Sequence, residues 1–224
     1  MRGLYRGLCS CYVPLPSRVR NMPEHQLFLP FEAPQIKRAG PRRPVARNRL
    51  FFAILSPHNA AREITERLCR LRFEYGLKGR PIAPARLHIS LHGVGDYFQL
   101  PGAVIASARE AGAAVAMPPF EIAFDRVLSF HKNKVERPLV LRPSGDLPAL
   151  VSLHRLLGEA LTRTGLGRRS TPRFTPHMTL LYDDRVVKEQ AIEPIHMPVA
   201  DFALVHSLVG QSRYVELARW PLRG

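Results

Sequence analysis

Apolar residues recur at helix and strand spacings through most of this chain. The run at 50–55 (LFFAIL) predicts a short buried strand. Ser56 is expected to cap the helix that follows, with Pro57 as its first residue, and Gly76 is expected to end it. A loop then leads to a predicted strand over 86–94. The buried face of the helix is defined by apolar side chains every three or four positions: Ala61, Ile64, Leu68, Leu71 and Tyr75.

The second half of the chain repeats this order of elements. A strand is predicted over 138–142, followed by a helix that Asp146 caps and Gly165 ends. The buried face of that helix has the same spacing: Leu150, Leu153, Leu157 and Leu161. A further strand is predicted over 174–182. Outside this repeat, the pattern predicts a helix over 104–115 and strands over 120–124, 202–209 and 214–220.

Each half places a histidine at nearly the same distance from the start of its first strand. His88 comes 38 positions after Leu50, and His177 comes 39 positions after Pro138. This agreement indicates an internal duplication of a strand–helix–strand unit. The duplication predicts two lobes whose histidine strands face each other across a pseudo-twofold axis.

Residues 1–47 lack this periodicity and are rich in proline and arginine. Prolines fix φ and remove backbone donors, so we expect a disordered tail before a domain that spans 48–224. The tail can also be interpreted as a targeting segment, although an arginine interrupts its short apolar stretch. A third interpretation is that the protein starts at Met22 and that residues 1–21 are upstream sequence.

The charge of the chain indicates a polyanionic partner. There are 33 Lys and Arg against 18 Asp and Glu, a net charge of +15, which favours nucleic acid, with an anionic membrane surface as the rival. Part of the excess lies in the proline-rich tail. No apolar run approaches the about 20 residues needed to cross a bilayer, so we expect a soluble protein with no membrane-spanning segment. Cys9, Cys11 and Cys69 form neither a disulfide framework nor a zinc motif, which fits a reducing, cytoplasmic location.

Two short segments carry the candidate chemistry, LHISL around His88 and PHMTL around His177. In a strand, His88 and Ser90 point to one face, as do His177 and Thr179, while the apolar residues between them point into a core. Histidine has an unperturbed pKa of about 6.5 and can therefore act as acid or base near neutral pH. The hydroxyls can donate hydrogen bonds to phosphate oxygens. The pattern favours phosphoryl chemistry and requires no metal.

A single His-x-Ser segment would more often be an ordinary strand histidine, but the pair is specific. RLHISLHGVGDY and FTPHMTLLYD resemble the paired His-x-Ser/Thr motifs of the 2H phosphoesterase superfamily. They most resemble its LigT-like branch, named for 2′-5′ RNA ligase and RNA 2′,3′-cyclic phosphodiesterase activity. The likeness covers about residues 48–220, and the 89-residue separation of the histidines suits the family. Gly93 departs from it, because that branch often has a bulky aromatic residue there.

This resemblance implies an α+β, bilobal fold, with two pseudo-symmetric antiparallel sheets and outer helices around a central groove. It implies hydrolysis of an RNA 2′,3′-cyclic phosphate end, on tRNA-like fragments for example, to a 2′-phosphate, or the related reversible 2′-5′ ligation. The expected protein is a monomer that needs no cofactor. By this analogy His177 would activate the attacking water, His88 would protonate the leaving 3′ oxygen, and Ser90 and Thr179 would bind the phosphate. The acid and base roles exchange when the reaction runs in reverse.

Four arginines near the motifs are candidates for contact with substrate phosphates. Arg86 precedes His88 by two residues and is expected to share its strand face, and Arg173 precedes the second motif. Arg168 and Arg169 lie in the loop ahead of that motif and can contact an RNA backbone. For each of them, a solvated surface arginine is the alternative.

Three rings near the motifs are also candidates for substrate contact. His92 is expected on the face of His88, where it either extends the site or is a polar groove residue. Tyr182 and Phe130 can stack a terminal base, although packing in the core explains Phe130 equally well. A metal site that combines His92 with the two motif histidines has no supporting carboxylate or cysteine spacing.

Two functions other than hydrolysis of RNA ends fit the sequence. The first is a nucleotide- or RNA-binding module with a 2H-like fold and little catalysis, against which the intact histidines and hydroxyls argue. The second is a phosphodiesterase for a small cyclic nucleotide, and the basic charge of the chain argues against it.

Overall fold

A computed structural model of the protein describes residues 47–130, 136–167 and 174–224. The segment 1–46, to which the prediction of a disordered tail applies, lies outside the described residues. Within them the chain is an α+β fold with a short 3-10 helix, Pro84–Arg86, before the second strand. The other elements are β1 Asn48–Leu55, α1 His58–Tyr75, β2 His88–Tyr97, α2 Gly102–Ala113, β3 Phe120–Ser129, β4 Arg137–Arg142, α3 Pro148–Arg163, β5 Met178–Asp183, β6 Gln190–Val199, β7 Asp201–Leu208 and β8 Arg213–Pro221.

The strands form one antiparallel sheet in the order β6-β3-β4-β5-β2-β1-β7-β8. We call β2-β1-β7-β8 the first half-sheet and β6-β3-β4-β5 the second half-sheet. They meet between β2 and β5, where the register consists of the pair Ile89 and Met178. The α+β class with antiparallel pairing is confirmed, and the two sheets expected from the sequence are the halves of one continuous sheet.

The duplicated unit predicted from the sequence corresponds to β1-α1-β2 in one half and β4-α3-β5 in the other. Each unit supplies the two inner strands of its half-sheet. Counterparts from helix to motif lie 89 positions apart, as His88 and His177 do. Gly76 and Gly165 keep this interval, and both have a left-handed backbone, with φ of +59° and +78°. The same interval relates the buried helix positions Ala61, Ile64 and Leu68 to Leu150, Leu153 and Leu157.

The main core lies between the helices and one face of the sheet. Its largest fully buried side chains include Phe52, Phe124 and Phe202, and burial of a side chain of this size contributes about 1.5–3 kcal/mol. Because side chains alternate along a strand, Phe51 lies on the opposite face of β1. There it forms a smaller apolar cluster with Ala53, Ala203 and Val205, against which Tyr214 packs.

Both helices of the repeat begin one residue later than their expected caps indicate. Pro57 is itself the cap of α1, with an extended backbone whose carbonyl accepts a hydrogen bond from the amide of Ala61 at 2.9 Å. Leu147 caps α3, and neither helix has a side-chain cap. The predictions of Ser56 and Asp146 as caps are therefore wrong. None of the helices in the described ranges is long and apolar enough to cross a membrane.

Strand β6 is absent from the sequence prediction because its proline residues, Pro194 and Pro198, argue against a strand. Both are tolerated because β6 lies at the edge of the sheet and pairs with β3 alone. Its alternating buried side chains, Ile195, Met197 and Val199, nevertheless have the period of a strand.

Candidate active site

A cavity of about 500 Å³ opens where the two half-sheets meet. The four motif side chains all line it: His88 and Ser90 from the first unit, and His177 and Thr179 from the second. The structure thus brings together two segments that are 89 positions apart in the chain. The other lining residues come from β1, the loop before β2, the strands β2 and β5 themselves, and the β7–β8 hairpin. They include Arg49, Phe51, Ile82, Arg86, Gly93, Tyr182, Ser207, Ser212 and Tyr214.

Both motif strands contain a bulge just after the hydroxyl residue. In the pairing of β1 with β2, the register shifts and Leu91 is the extra residue. In the pairing of β4 with β5, the extra residue is Leu180. A bulge interrupts the alternation of side chains. Gly93 in β2 and Tyr182 in β5 therefore face the cavity in addition to the hydroxyl residues.

His88 is held on both sides of its ring. Its Nδ1 lies 2.7 Å from the carbonyl oxygen of Arg86, which can only accept, so Nδ1 carries the proton. Its Nε2 lies 3.1 Å from Oγ of Ser90. The rings of Phe51 and Tyr214 contact the imidazole, with centroids 5.3 and 5.5 Å away.

Burial lowers the pKa of His88, and the positive charges of His177 and Arg86 lower it further, whereas the hydrogen bond to the Arg86 carbonyl acts in the opposite direction. In the free protein His88 is therefore neutral at neutral pH.

His177 precedes the first residue of β5 and is oriented in the same way as His88. Its Nδ1 donates to the carbonyl oxygen of Thr175 at 2.8 Å, again the residue two positions earlier. The ring of Phe130 contacts it edge-on, with centroids 4.9 Å apart. Both imidazoles therefore use Nδ1 for the backbone, which makes Nε2 the nitrogen for chemistry in the cavity.

Arg86 lines the cavity but not in the way the sequence suggested. It belongs to the 3-10 helix Pro84–Arg86, so the expectation that it shares a strand face with His88 is wrong. Its guanidinium lies 4.7 Å from the centre of the Tyr214 ring, a cation–π contact. This contact keeps a positive charge beside His88.

The two walls of the cavity differ at equivalent positions of the repeat. Tyr182 is 49% exposed and forms one wall. Its counterpart, Gly93, has no atom within 4 Å of where a Cβ would stand. Gly93 also lines a second cavity of about 170 Å³ together with Arg49 and Asp96, so this side of the site is open.

His92 does not face the cavity, and the expectation that it shares the face of His88 is wrong. The bulge at Leu91 reverses the alternation, so His92 is only 2% exposed and packs against α3. There its Nε2 donates to the carbonyl oxygen of His154 at 2.7 Å. Arg168, Arg169 and Arg173, the other predicted contacts, lie outside the described residues.

Sequence reasoning missed the aromatic and polar residues that surround His88. The apolar run at 50–55 predicts that Phe51 is part of a buried strand, and the pattern over 214–220 predicts a strand that begins at Tyr214. Both reach the site through long-range pairing of β1 with β7 and of β7 with β8, which no local pattern reveals. Arg49 also lines the cavity and forms an ion pair with Asp96 at 2.7 Å.

The site holds two imidazoles in a defined tautomer, two hydroxyls and the side chains of two arginines, Arg49 and Arg86, around a single cavity. Such a set can give and take protons at two points and bind an anion between them. Among the residues that the structure describes, no cluster of three or more histidine, cysteine or acidic side chains has the arrangement of a metal site.

Comparison with known proteins finds a matching family model and solved structures of similar sequence and fold. The family model of the 2′-5′ RNA ligase superfamily matches residues 56–211. E. coli LigT in its apo form is 28% identical, with a TM-score of 0.62 over 79% of this chain and 98% of that one. A second solved structure, a phosphoesterase, is also 28% identical, with a TM-score of 0.61 over 79% and 99%. TT0787 of Thermus thermophilus, 23% identical with a TM-score of 0.65 over 79% and 98%, is similar in fold. No curated protein matches this sequence.

Proposed function

Because this chain belongs to the 2′-5′ RNA ligase superfamily, we propose that it hydrolyses 2′,3′-cyclic phosphate ends of RNA to 2′-phosphates by acid–base catalysis with two histidines. The observation that carries the proposal is the convergence of both His-x-Ser/Thr motifs on one cavity. Each imidazole there uses Nδ1 for a backbone carbonyl, so that Nε2 is the nitrogen that can exchange a proton with substrate.

In the proposed reaction, water attacks phosphorus and loses a proton to Nε2 of His177. The bond between phosphorus and the 3′ oxygen breaks, and that oxygen takes a proton from Nε2 of His88, which leaves a 2′-phosphate and a free 3′ hydroxyl. Ser90 and Thr179 donate to the non-bridging oxygens, where negative charge develops. His88 is neutral in the free protein, so it must gain its proton when the anionic phosphate binds and raises its pKa.

The low pKa of His88 also suits the reverse assignment, in which the neutral His88 is the base and His177 is the acid. Both assignments use the same two Nε2 atoms and differ in which one faces the leaving oxygen. A substrate whose leaving group needs no proton separates the two assignments.

Two observations support RNA as the substrate. Residues 48–224 hold 24 Lys and Arg against 16 Asp and Glu, and residues 1–47 hold 9 against 2, so the domain is basic without the tail. Such a charge attracts a polyanion. E. coli LigT has been crystallised in complex with 3′-AMP, ATP, NADP+ and phosphate, which favours a substrate with a nucleotide and a phosphate for this chain as well.

A phosphodiesterase for a small cyclic nucleotide is the second candidate, because a cavity of about 500 Å³ accommodates one nucleotide. The deciding experiment offers the full chain a short RNA with a 2′,3′-cyclic end and the matching cyclic mononucleotide, with a chelator present. Faster turnover of the RNA supports the proposal, whereas turnover of the mononucleotide alone supports the second candidate. Binding of RNA without turnover would contradict both and indicate a binding module.

A further inference from the structure

We infer that three stacked rings, His92, His154 and Phe174, position the catalytic imidazole of His177. We call these three rings the ring stack. They lie behind the cavity, and none of them lines it. The inference concerns how the proposed active site is held, so its activity readout rests on the proposed function.

The ring stack joins three elements through face-to-face contacts. The rings of His92 in β2 and His154 in α3 have centroids 4.0 Å apart and planes 23° apart. The rings of His154 and Phe174 have centroids 4.1 Å apart and planes 14° apart. Phe174 lies three residues before His177, so the stack ends on the segment that leads into the second motif.

A hydrogen bond fixes the first contact of the stack. Nε2 of His92 donates to the carbonyl oxygen of His154 at 2.7 Å, which links β2 to α3. Among the described residues, Nδ1 of His92 and Nε2 of His154 are buried without a hydrogen-bond partner. Since unpaired buried nitrogens cost free energy, the contribution of His154 to the stack is its flat ring, and another flat ring can replace it.

The two motifs differ in what holds the carbonyl that orients each imidazole. Arg86, which orients His88, lies in a 3-10 helix closed by a backbone hydrogen bond from its amide to Ala83 at 2.8 Å. Thr175, which orients His177, lies in the irregular segment 174–177. There Pro176 restricts Thr175 to an extended backbone, and the stacked ring of Phe174 anchors the segment to α3.

The ring stack has no equivalent in the first unit. At the interval of 89 positions, the counterparts of His154 and Phe174 are Thr65 and Ala85. The stack also links the strand of the first motif to the approach of the second at the junction of the half-sheets, where β2 and β5 share the pair Ile89 and Met178. Its position therefore suits alignment of the two imidazoles with each other.

The first test compares Phe174→Ala, Phe174→Leu and Phe174→Tyr in the full chain. A displacement of a catalytic group by about 1 Å can lower a rate about 100-fold. We therefore expect Phe174→Ala to lower kcat about 10- to 100-fold with KM for the cyclic mononucleotide unchanged, and Phe174→Leu to show a smaller loss of the same kind if Phe174→Ala does not fold. Phe174→Tyr and His154→Phe keep a stacked ring and should retain nearly full kcat.

Two control variants separate positioning from loss of stability. Phe73→Ala removes a phenylalanine that is 93% exposed on α1 and should change nothing. Leu153→Ala opens a cavity in the core beside His154 and should lower the Tm while leaving kcat unchanged well below that temperature. Full kcat in Phe174→Ala, or an equal fall of kcat in Leu153→Ala, would overturn the inference.

A measurement without substrate distinguishes failure of this inference from failure of the proposed function. The 15N shifts of the His177 ring report its tautomer, and we expect the Nδ1-protonated form in the wild type and a mixture of tautomers in Phe174→Ala. If the wild type is inactive but the tautomer shifts as expected, the proposed function fails and the positioning role stands. An unchanged tautomer in Phe174→Ala would refute the positioning role.

Discussion

The two histidine motifs share one backbone design but differ in their surroundings. In each, a bulge follows the hydroxyl residue and Nδ1 of the imidazole donates to the carbonyl two residues earlier. His88 lies among Phe51, Tyr214 and the Arg86 guanidinium, and burial lowers its pKa. His177 lies outside the regular strand, beside Phe130. A duplicated unit can therefore place its two imidazoles in different surroundings, because different elements pack around each of them.

The largest expected effect follows from removing each of these two histidines in turn. General acid–base catalysis contributes about 10²- to 10⁴-fold, so His88→Ala and His177→Ala should each lower kcat by that order. In a cyclic substrate with sulfur in place of the 3′ oxygen, the leaving group is a thiolate, which needs little protonation. This substrate should restore the rate of His88→Ala but not of His177→Ala, as measured in single-turnover assays.

The control for that comparison is His58→Ala, which removes an exposed histidine at the start of α1 and should have wild-type kinetics on both substrates. If the 3′-sulfur substrate restores the rate of His177→Ala and not that of His88→Ala, then His177 is the acid and His88 is the base. Restoration of neither would show that leaving-group protonation is not what limits the variants.

Substitutions in the opposing walls of the cavity, at Tyr182 and Gly93, are expected to have a smaller effect, which concerns the choice between RNA and the mononucleotide. Stacking of a base on an aromatic ring is worth about 1–3 kcal/mol, so Tyr182→Ala should raise KM for RNA about tenfold or more. Gly93→Leu places its Cβ in open space, and the longer side chain narrows the open side of the cavity. It should lower kcat/KM severalfold for RNA and leave the cyclic mononucleotide unaffected.

Gly145→Leu is the matched control for the open wall, because Gly145 also has open space around it and lies outside the cavity. Steady-state kinetics on both substrates should not distinguish this variant from the wild type. Equal losses on RNA and mononucleotide in Gly93→Leu would mean that its side chain disturbs the catalytic centre instead of the path of the RNA.

Much of the fold follows from local patterns, and most of the errors arise where a bulge or long-range strand pairing decides the structure. The apolar spacing predicts α1 and α3 because each buries a single face. The prolines of β6 conceal a strand that only its edge position makes possible. A bulge at Leu91 turns His92 away from the cavity, and no periodicity rule anticipates it. Phe51 and Tyr214 join the site through strand pairing over long sequence distances, which the sequence alone does not specify.

The smallest expected effect concerns stability in acid. Burial, and then the charge of His92, lower the pKa of His154 to about 4, against about 6.5 in the unfolded chain. Between these values the unfolded chain binds more protons, so the free energy of unfolding falls as the pH decreases from about 6.5 to 4. We expect His154→Phe to reduce the associated fall of Tm, whereas His58→Ala should not alter it.

His154→Phe should remove only part of the acid sensitivity, because burial lowers the pKa of His88, His92 and His206 as well. Thermal melts at closely spaced pH values measure the difference between the variant and the wild type. Parallel curves for the two proteins would mean that His154 is not held neutral by its packing.

The identity of the product tests the central claim most directly. RNA with a 2′,3′-cyclic phosphate end is incubated with the full chain and a chelator, and the phosphorus signals are followed by NMR. The proposed mechanism predicts that the cyclic diester converts to a 2′-phosphomonoester and that neither His88→Ala nor His177→Ala forms this product at a comparable rate. A 3′-phosphomonoester, or undiminished conversion by either variant, would contradict it.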